Sequence, residues 1–247
     1  MKLTELFNNK LNDIKLQHSK GTYTFYKSHI GHFMRWCEQY HITLSEDVTS
    51  DIIVDYIQDM KHTCTNATIN KRIGIIKRAF KYNQIDFEYL YRIPKLKEQR
   101  KTFNMLSKEE LKKVIDYTMT LPNIYNNNVY KLLILLLIDT GARINEVLSI
   151  EKKYIDLETK EITLVTTKTK TDRVVYFMND TKKHIEKLIN HDKGKYLLYN
   201  FDKDRPLIYD DVRFFLRLLK SKLKIKILHA HMFRHTFATL WIENDAD

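Results

Sequence analysis

The sequence predicts a mainly α-helical protein with a small antiparallel β-sheet, organised as two domains. Only 5 Gly and 3 Pro occur in 247 residues, so the chain has little material for tight turns. Apolar residues recur at three- and four-residue spacing along most of its length. Thr/Val/Ile-rich runs are confined to the stretch between Tyr154 and Tyr176. With 43% hydrophobic and 12% aromatic residues, the chain can bury a core rather than remain disordered.

Residues 1–91 read as four amphipathic helices. The second places Tyr26, Ile30, Phe33 and Cys37 on one stripe, widened by Trp36. Thr49 or Ser50 can cap a third helix whose inner face carries Ile52, Ile53, Tyr56, Ile57 and Met60. The fourth, from about Ala67 to Tyr82, turns Ile69, Ile73, Ile76 and Phe80 inward. Its opposite face carries Lys71, Arg78 and Lys81, with Gly74 between them lacking a side chain. Such a face reads either as a solvated helix surface or as a cradle for a phosphate backbone, which cations position without reading bases. Residues 92–105 read as a basic linker, in which Pro94 interrupts helical periodicity.

A second domain, residues 106–247, opens on the capping box Ser107–Glu110, with Leu106 able to staple onto Leu111. Helices are expected around Lys108–Met119, Val129–Asp139 and Ile144–Leu148. Glu161–Thr166 and Arg173–Tyr176 are expected to pair as antiparallel strands. Helices return near Thr181–Asn190, Asp210–Leu223 and His231–Ile242.

Charge and cysteine usage narrow the function. The balance of 42 Lys+Arg against 31 Asp+Glu gives a net charge of +11, which favours a polyanionic partner, nucleic acid ahead of a membrane surface. Cys37 and Cys64 have no metal-finger spacing and sit in helical patterns, which excludes a disulfide framework and fits reduced thiols. Residues 1–16 lack the apolar core of a signal peptide, and the longest apolar run, Leu132–Ile138, is too short to span a bilayer. The expectation is a soluble, cytoplasmic protein with no membrane partner and no small-molecule substrate.

Four side chains suit the handling of a phosphodiester. Arg143 follows Gly141 at a helix start, in Thr140-Gly141-Ala142-Arg143-Ile144-Asn145-Glu146. Lys168 lies in the polar turn Thr167–Arg173. His231 and Arg234 stand three apart, so on a helix they share a face. A guanidinium bonds two phosphate oxygens at once and stays charged. A lysine amine can protonate a departing alkoxide, and an imidazole moves protons near neutrality. Taken alone, Arg143 reads as a surface arginine paired with Glu146, and Lys168 as part of a solvated hairpin. Arg234 is harder to set aside, because Phe233, Phe237 and Leu240 imply a buried helix with no anionic partner nearby in sequence. His231 and His235 are four apart, but Met232 stands where a zinc-protease helix needs glutamate, so a metal site is not expected. His235 then reads as a packed residue and His229 as a loop residue.

These segments together resemble the tyrosine recombinase (phage integrase) family over nearly the whole chain. Residues 1–91 resemble its helical core-binding (SAM-like) domain, and residues 106–247 an incomplete α+β catalytic domain. Arg143 matches the family's first catalytic arginine, with Glu146 as its acidic neighbour. Lys168 matches the lysine of the β-hairpin, with Arg173 closing that motif. His231 and Arg234 match the His-x-x-Arg box, with Phe233 replacing the usual leucine.

The resemblance implies double-stranded DNA as partner, other recombinase protomers on that DNA, and two domains closing round the duplex as a clamp. It also implies strand breakage and rejoining through a 3′-phosphotyrosine with no cofactor or metal. The family's nucleophilic tyrosine follows its second arginine, yet no tyrosine occurs among the thirteen residues after Arg234. The chain as written is therefore expected to bind DNA for site-specific recombination or integration without cleaving it alone. A tyrosine lent by a partner chain would restore cleavage. The alternative is a non-enzymatic DNA-binding competitor of an intact integrase.

Overall fold

The apolar stripes of the first four helices dictate how the N-terminal unit packs. The computed structural model describes residues 1–85, 88–99, 104–165 and 172–244. The chain divides into two compact units, Met1–Lys101 and Thr102–Asp247. In the first, α1 (Leu3–Gln17), α2 (Lys20–Gln39), α3 (Ser50–Lys61) and α4 (Asn66–Tyr82) form a bundle in which α4 packs on the other three. Ser19, Thr49 and Thr65 cap α2, α3 and α4, each accepting a backbone N–H with its side-chain oxygen. Phe7 meets Phe33 and Phe80 edge to face at 5.8 and 6.3 Å, and Phe33 meets Tyr56 at 4.9 Å. Each such buried ring contributes roughly 1.5–3 kcal/mol.

A fifth helix, α5 (Glu88–Arg92), escaped the sequence reading of four. It is five residues long, too short to show periodicity, and is anchored by the buried Leu90 and an exposed Arg92–Glu88 ion pair. Within the basic segment expected to link the domains, residues 93–99 are tied to α4. The Asn70 amide bonds the backbone of Leu96 in both directions at 2.9 Å, Asn66 donates to the Lys97 carbonyl, and Lys77 donates to the Ile93 carbonyl. Arg100 to Phe103 lie outside the described residues.

The second unit is built round α7 (Tyr125–Thr140), whose Val129, Leu132, Leu133, Ile134, Leu136 and Leu137 are all buried. α6 (Lys108–Thr120), α8 (Ile144–Leu148), α9 (Asn179–Leu188) and α11 (Ala230–Asn244) pack against it. The Ser107 hydroxyl accepts the Glu110 N–H while the Glu110 carboxylate accepts the Ser107 N–H, so the expected capping box forms. α7 starts a turn before Val129 because Asn126 and Asn127 are polar yet helical. Asn127 reaches the Pro122 carbonyl, and Asn126 accepts the Phe201 N–H.

A three-stranded antiparallel sheet follows, in the order β1 (Ile155–Asp156), β2 (Glu161–Leu164), β3 (Arg173–Tyr176), with Leu164 opposite Arg173. β2 ends earlier than expected, at Leu164. Asp139 of α7 then accepts the Met178 N–H and the Thr181 hydroxyl, fixing the start of α9.

A small hairpin, β4 (Tyr199–Asn200) with β5 (Arg205–Pro206), had no sequence signal because each strand has two residues. Its anchor is the buried Asp211 at the start of α10 (Tyr209–Lys222). That carboxylate takes both terminal nitrogens of Arg205, the Lys203 ammonium and the Ile208 N–H. Among the described residues no helix is long and apolar enough to cross a membrane.

Candidate functional site

The turn after α7 sets the site. Thr140 donates its hydroxyl to the Leu136 carbonyl and accepts the Ala142 N–H, which ends the helix from inside the core. Gly141 then adopts φ 54°, and a Cβ there would lie 2.3 Å from a ring carbon of Phe237 on α11. Only glycine fits both the left-handed conformation and that close approach. The turn delivers Arg143 to the start of α8, where its backbone N–H bonds the Glu146 carboxylate at 2.8 Å and its guanidinium bonds the same group at 2.9 Å.

Glu146 has a second guanidinium partner. Arg173, at the start of β3, donates to it at 2.7 Å across a chain separation of 27 residues. Burial works to raise the Glu146 pKa, but the Arg143 backbone and guanidinium and the charge of Arg173 hold it below the usual range. The carboxylate therefore stays ionised and orients both arginines. The Nε–H of Arg173 is buried and donates to no partner among the described residues.

Arg234 completes the group. α11 is held at its far side by the buried Thr236, whose hydroxyl accepts the Leu106 N–H. From this helix the Arg234 guanidinium donates to the Gly141 carbonyl at 2.6 Å. It forms no ion pair with any described residue. Burial first, then the positive charges of Arg143 and Arg173, lower its pKa, while Glu146 opposes them. Glu146 thus bonds two of the three guanidiniums, and Arg234 stands beside them with a carbonyl as its partner, so that among the described residues positive charge gathers at this wall. Such a site attracts an anion.

Of the residues singled out from sequence, Arg143 and Arg234 come together round the Gly141 turn. His231 lies one helical turn before Arg234, on the same side of α11, and is exposed. Its ring centroid is 6.5 Å from that of the exposed His229, a loop residue, and His235 is half-buried. His229 is held below its ordinary pKa by partial desolvation first and then by the nearby His231 and His235. Lys168 lies in residues 166–171, outside the described residues.

Glu146 and Arg173 were legible only as neighbours of the motifs. Their convergence depends on strand pairing that spacing does not encode. Among the described residues no group of three His, Cys, Asp or Glu is arranged to hold a metal ion.

In the first unit, Lys71, Arg78 and Lys81 are all exposed on α4. The Arg78 guanidinium lies 5.6 Å over the Tyr26 ring of α2, which steadies it. His29 of α2 has its pKa lowered by burial and then by Arg72 and Lys71, so the charge of α4 extends toward α2. Gly74 and residues 93–96 line one crevice, and a Cβ added to Gly74 would meet the Arg78 guanidinium at 3.8 Å.

Comparison with known proteins bears on both units. The phage integrase SAM-like domain matches residues 2–97, and the phage integrase family matches residues 104–247. A probable integrase/recombinase of Acholeplasma phage L2 is 33% identical over 193 residues, covering 78% of this chain and 66% of the relative. The tyrosine recombinase XerA of Saccharolobus solfataricus is 34% identical over 180 residues, 73% of this chain and 56% of that one. The chain thus spans less than two thirds of the length of these relatives.

Among solved structures, a lambda integrase dimer bound to a COC′ core site superposes with a TM-score of 0.80 at 16% identity, over 99% of this chain and 91% of that one. The Tn1549 transposon integrase with a circular intermediate DNA gives 0.78 at 17% identity, over 99% and 87%. A lambda integrase tetramer on a Holliday junction gives 0.77 at 16%, over 98% and 74%. At such identities these likenesses establish the fold. With its catalytic-type unit matched along its described length and its helical unit matched separately, the chain belongs to the phage integrase, or tyrosine recombinase, family.

Proposed function

We propose that this chain binds double-stranded DNA in site-specific recombination, holding one backbone phosphate at the Arg143–Arg173–Arg234 cluster. The observation that carries this is the charge imbalance among the described residues: three arginines round the Glu146 carboxylate, with Arg234 bonded there to a neutral carbonyl. Phosphoryl transfer asks chiefly for charge stabilisation on non-bridging oxygens, and a preorganised guanidinium pair provides it. Arg143 and Arg234 contact the phosphate, Lys168 protonates the leaving oxygen, and His231 assists proton movement. Glu146 holds Arg143 and Arg173 in place. The exposed Lys71, Arg78 and Lys81 grip the backbone elsewhere on the duplex, and further copies of the chain occupy neighbouring sites on the same DNA.

These 247 residues supply charge and acid but no tyrosine after Arg234, so cleavage by them alone is not expected. The test uses duplexes carrying candidate attachment sites, with a nicked suicide substrate among them. The chain as given should bind and form no covalent adduct, whereas a version continued to a tyrosine should form one. In that version Arg143→Ala and Arg234→Ala should abolish the adduct with binding largely retained. Lys168→Ala should be rescued by a better leaving group. Replacing Lys71, Arg78 and Lys81 by alanine should flatten the salt dependence of binding, by nearly one unit of slope per lost contact. Adduct formation by the unextended chain, or full cleavage without Arg234, contradicts the proposal.

A further inference from the structure

Residues 212–242 contain no Asp or Glu, seven Lys and Arg, and three of the chain's ten histidines. A histidine in such a stretch has no carboxylate close in sequence to favour its charged form. Two of the three, His229 and His231, bracket the start of α11, the helix that carries Arg234.

The fold holds these two rings side by side. The His229 carbonyl accepts the Met232 N–H at 3.0 Å, so the first turn of α11 fixes the residue through its backbone and leaves its ring to other uses. The rings of His229 and His231 lie 6.5 Å apart, centroid to centroid, with their planes at 68°, and both residues are exposed. His229 also lines a crevice with Tyr209 and Arg213 of α10, among the buried Val212, Leu216 and Leu228. Arg213 stands 3.6 Å from Asp210, at the exposed start of α10. The groups facing His229 are thus His231 and His235 from α11 and Tyr209 and Arg213 from α10, with no carboxylate lining the crevice. Partial desolvation and the two neighbouring imidazoles keep it mostly neutral near pH 7 in the free chain. An arriving phosphate oxygen reverses that balance, because a negative charge beside the ring favours its protonated form.

We propose that His229 is a further DNA-contacting residue of this site, its imidazole taking up a proton from solvent as a backbone phosphate settles beside His231. The inference rests on the reading that the arginine cluster holds a DNA phosphate. It adds a contact from outside the His-x-x-Arg pair and makes binding proton-linked. The ring binds its proton more tightly with DNA present than without, so affinity rises as pH falls from about 8 to about 6.

The test follows the ring and the affinity together. In imidazole nitrogen NMR spectra of the full chain at about pH 7, the His229 ring, assigned by His229→Gln, should be neutral in the free protein and charged in complex with a DNA duplex. Titration calorimetry with the same duplex at about pH 6, 7 and 8, in buffers of different ionisation enthalpy, counts the protons taken up. Over that range the wild type should gain affinity about threefold to tenfold more than His229→Gln, one proton contributing at most about tenfold per pH unit. His229→Gln keeps the backbone bond to Met232, and circular dichroism checks that it folds. A ring that stays neutral in the complex, or a pH profile of binding unchanged in His229→Gln, overturns the inference while DNA binding itself stands. A wild type that binds no DNA at any of the three pH values overturns it together with the reading on which it rests.

Discussion

Replacing Gly141 by alanine tests how the arginine site is assembled. The new Cβ would sit 2.3, 2.7 and 2.9 Å from three ring carbons of Phe237, well inside van der Waals contact, at a residue with φ 54°. The left-handed conformation costs a non-glycine residue roughly 1–2 kcal/mol. Overpacking of this kind costs typically about 1–3 kcal/mol. Together they predict a loss of about 2–5 kcal/mol from the second unit, a large share of the stability of an ordinary domain. With a urea slope of about 2 kcal/mol/M, the midpoint for that unit falls by roughly 1–2.5 M.

The assay is urea unfolding followed by circular dichroism, fitted without assuming that the two units unfold together. Phe237→Ala combined with Gly141→Ala should recover the overpacking part but not the backbone part, giving a coupling of about 1–3 kcal/mol in a double-mutant cycle. A midpoint within experimental error of wild type, or strict additivity, would refute the close packing of α11 on the Gly141 turn. With it would go the structural basis for Arg234 reaching the Gly141 carbonyl.

Two further outcomes follow from particular bonds. Burial acts to raise Asp211, but Arg205, Lys203 and the Ile208 N–H together depress its pKa to about 2 from 3.8. Its contribution is therefore fully present above pH 4 and lost as pH falls through 2. The wild type should lose about 2 kcal/mol over that window. Asp211→Asn should start lower and show a flatter acid limb in stability measured against pH. Asn70→Ala removes both backbone bonds to Leu96, each contributing about 1 kcal/mol. Trypsin should then cut at Lys95 and Lys97 roughly tenfold faster or more, while the far-ultraviolet spectrum stays unchanged. An unaltered cleavage rate would mean that other contacts hold residues 93–99.

The helices were readable because each carries its own apolar stripe or cap. Ser107–Glu110 and Thr49 announce helix starts within four residues of sequence, and α7 announces itself by an apolar run. What stayed hidden was non-local or too short. α5 spans five residues and β4 and β5 two each, so no period could show them. The site divides along the same line. Arg143, His231 and Arg234 stood out through local spacing, and Gly141 through its place at a helix end. That Arg173 shares Glu146 with Arg143 depends on the β2–β3 register, and that Arg234 leans on the Gly141 carbonyl depends on α11 crossing α7. Neither contact leaves a trace in residue spacing. The attachment of residues 93–99 to α4 was hidden likewise, because composition marks a basic Pro-containing stretch as linker whether or not two asparagines and a lysine bind its backbone.

The central claim is that Arg143, Arg173 and Arg234 act on one phosphate. Its most direct test is an NMR titration of arginine Nε–H resonances with a short DNA duplex, assigned by single Arg→Lys variants. The account predicts that the three resonances shift together, with one dissociation constant, and that Arg234→Ala weakens the response of the other two. Resonances that move at different saturation points, or a cluster that stays silent while Lys71, Arg78 and Lys81 take up the DNA, would contradict it.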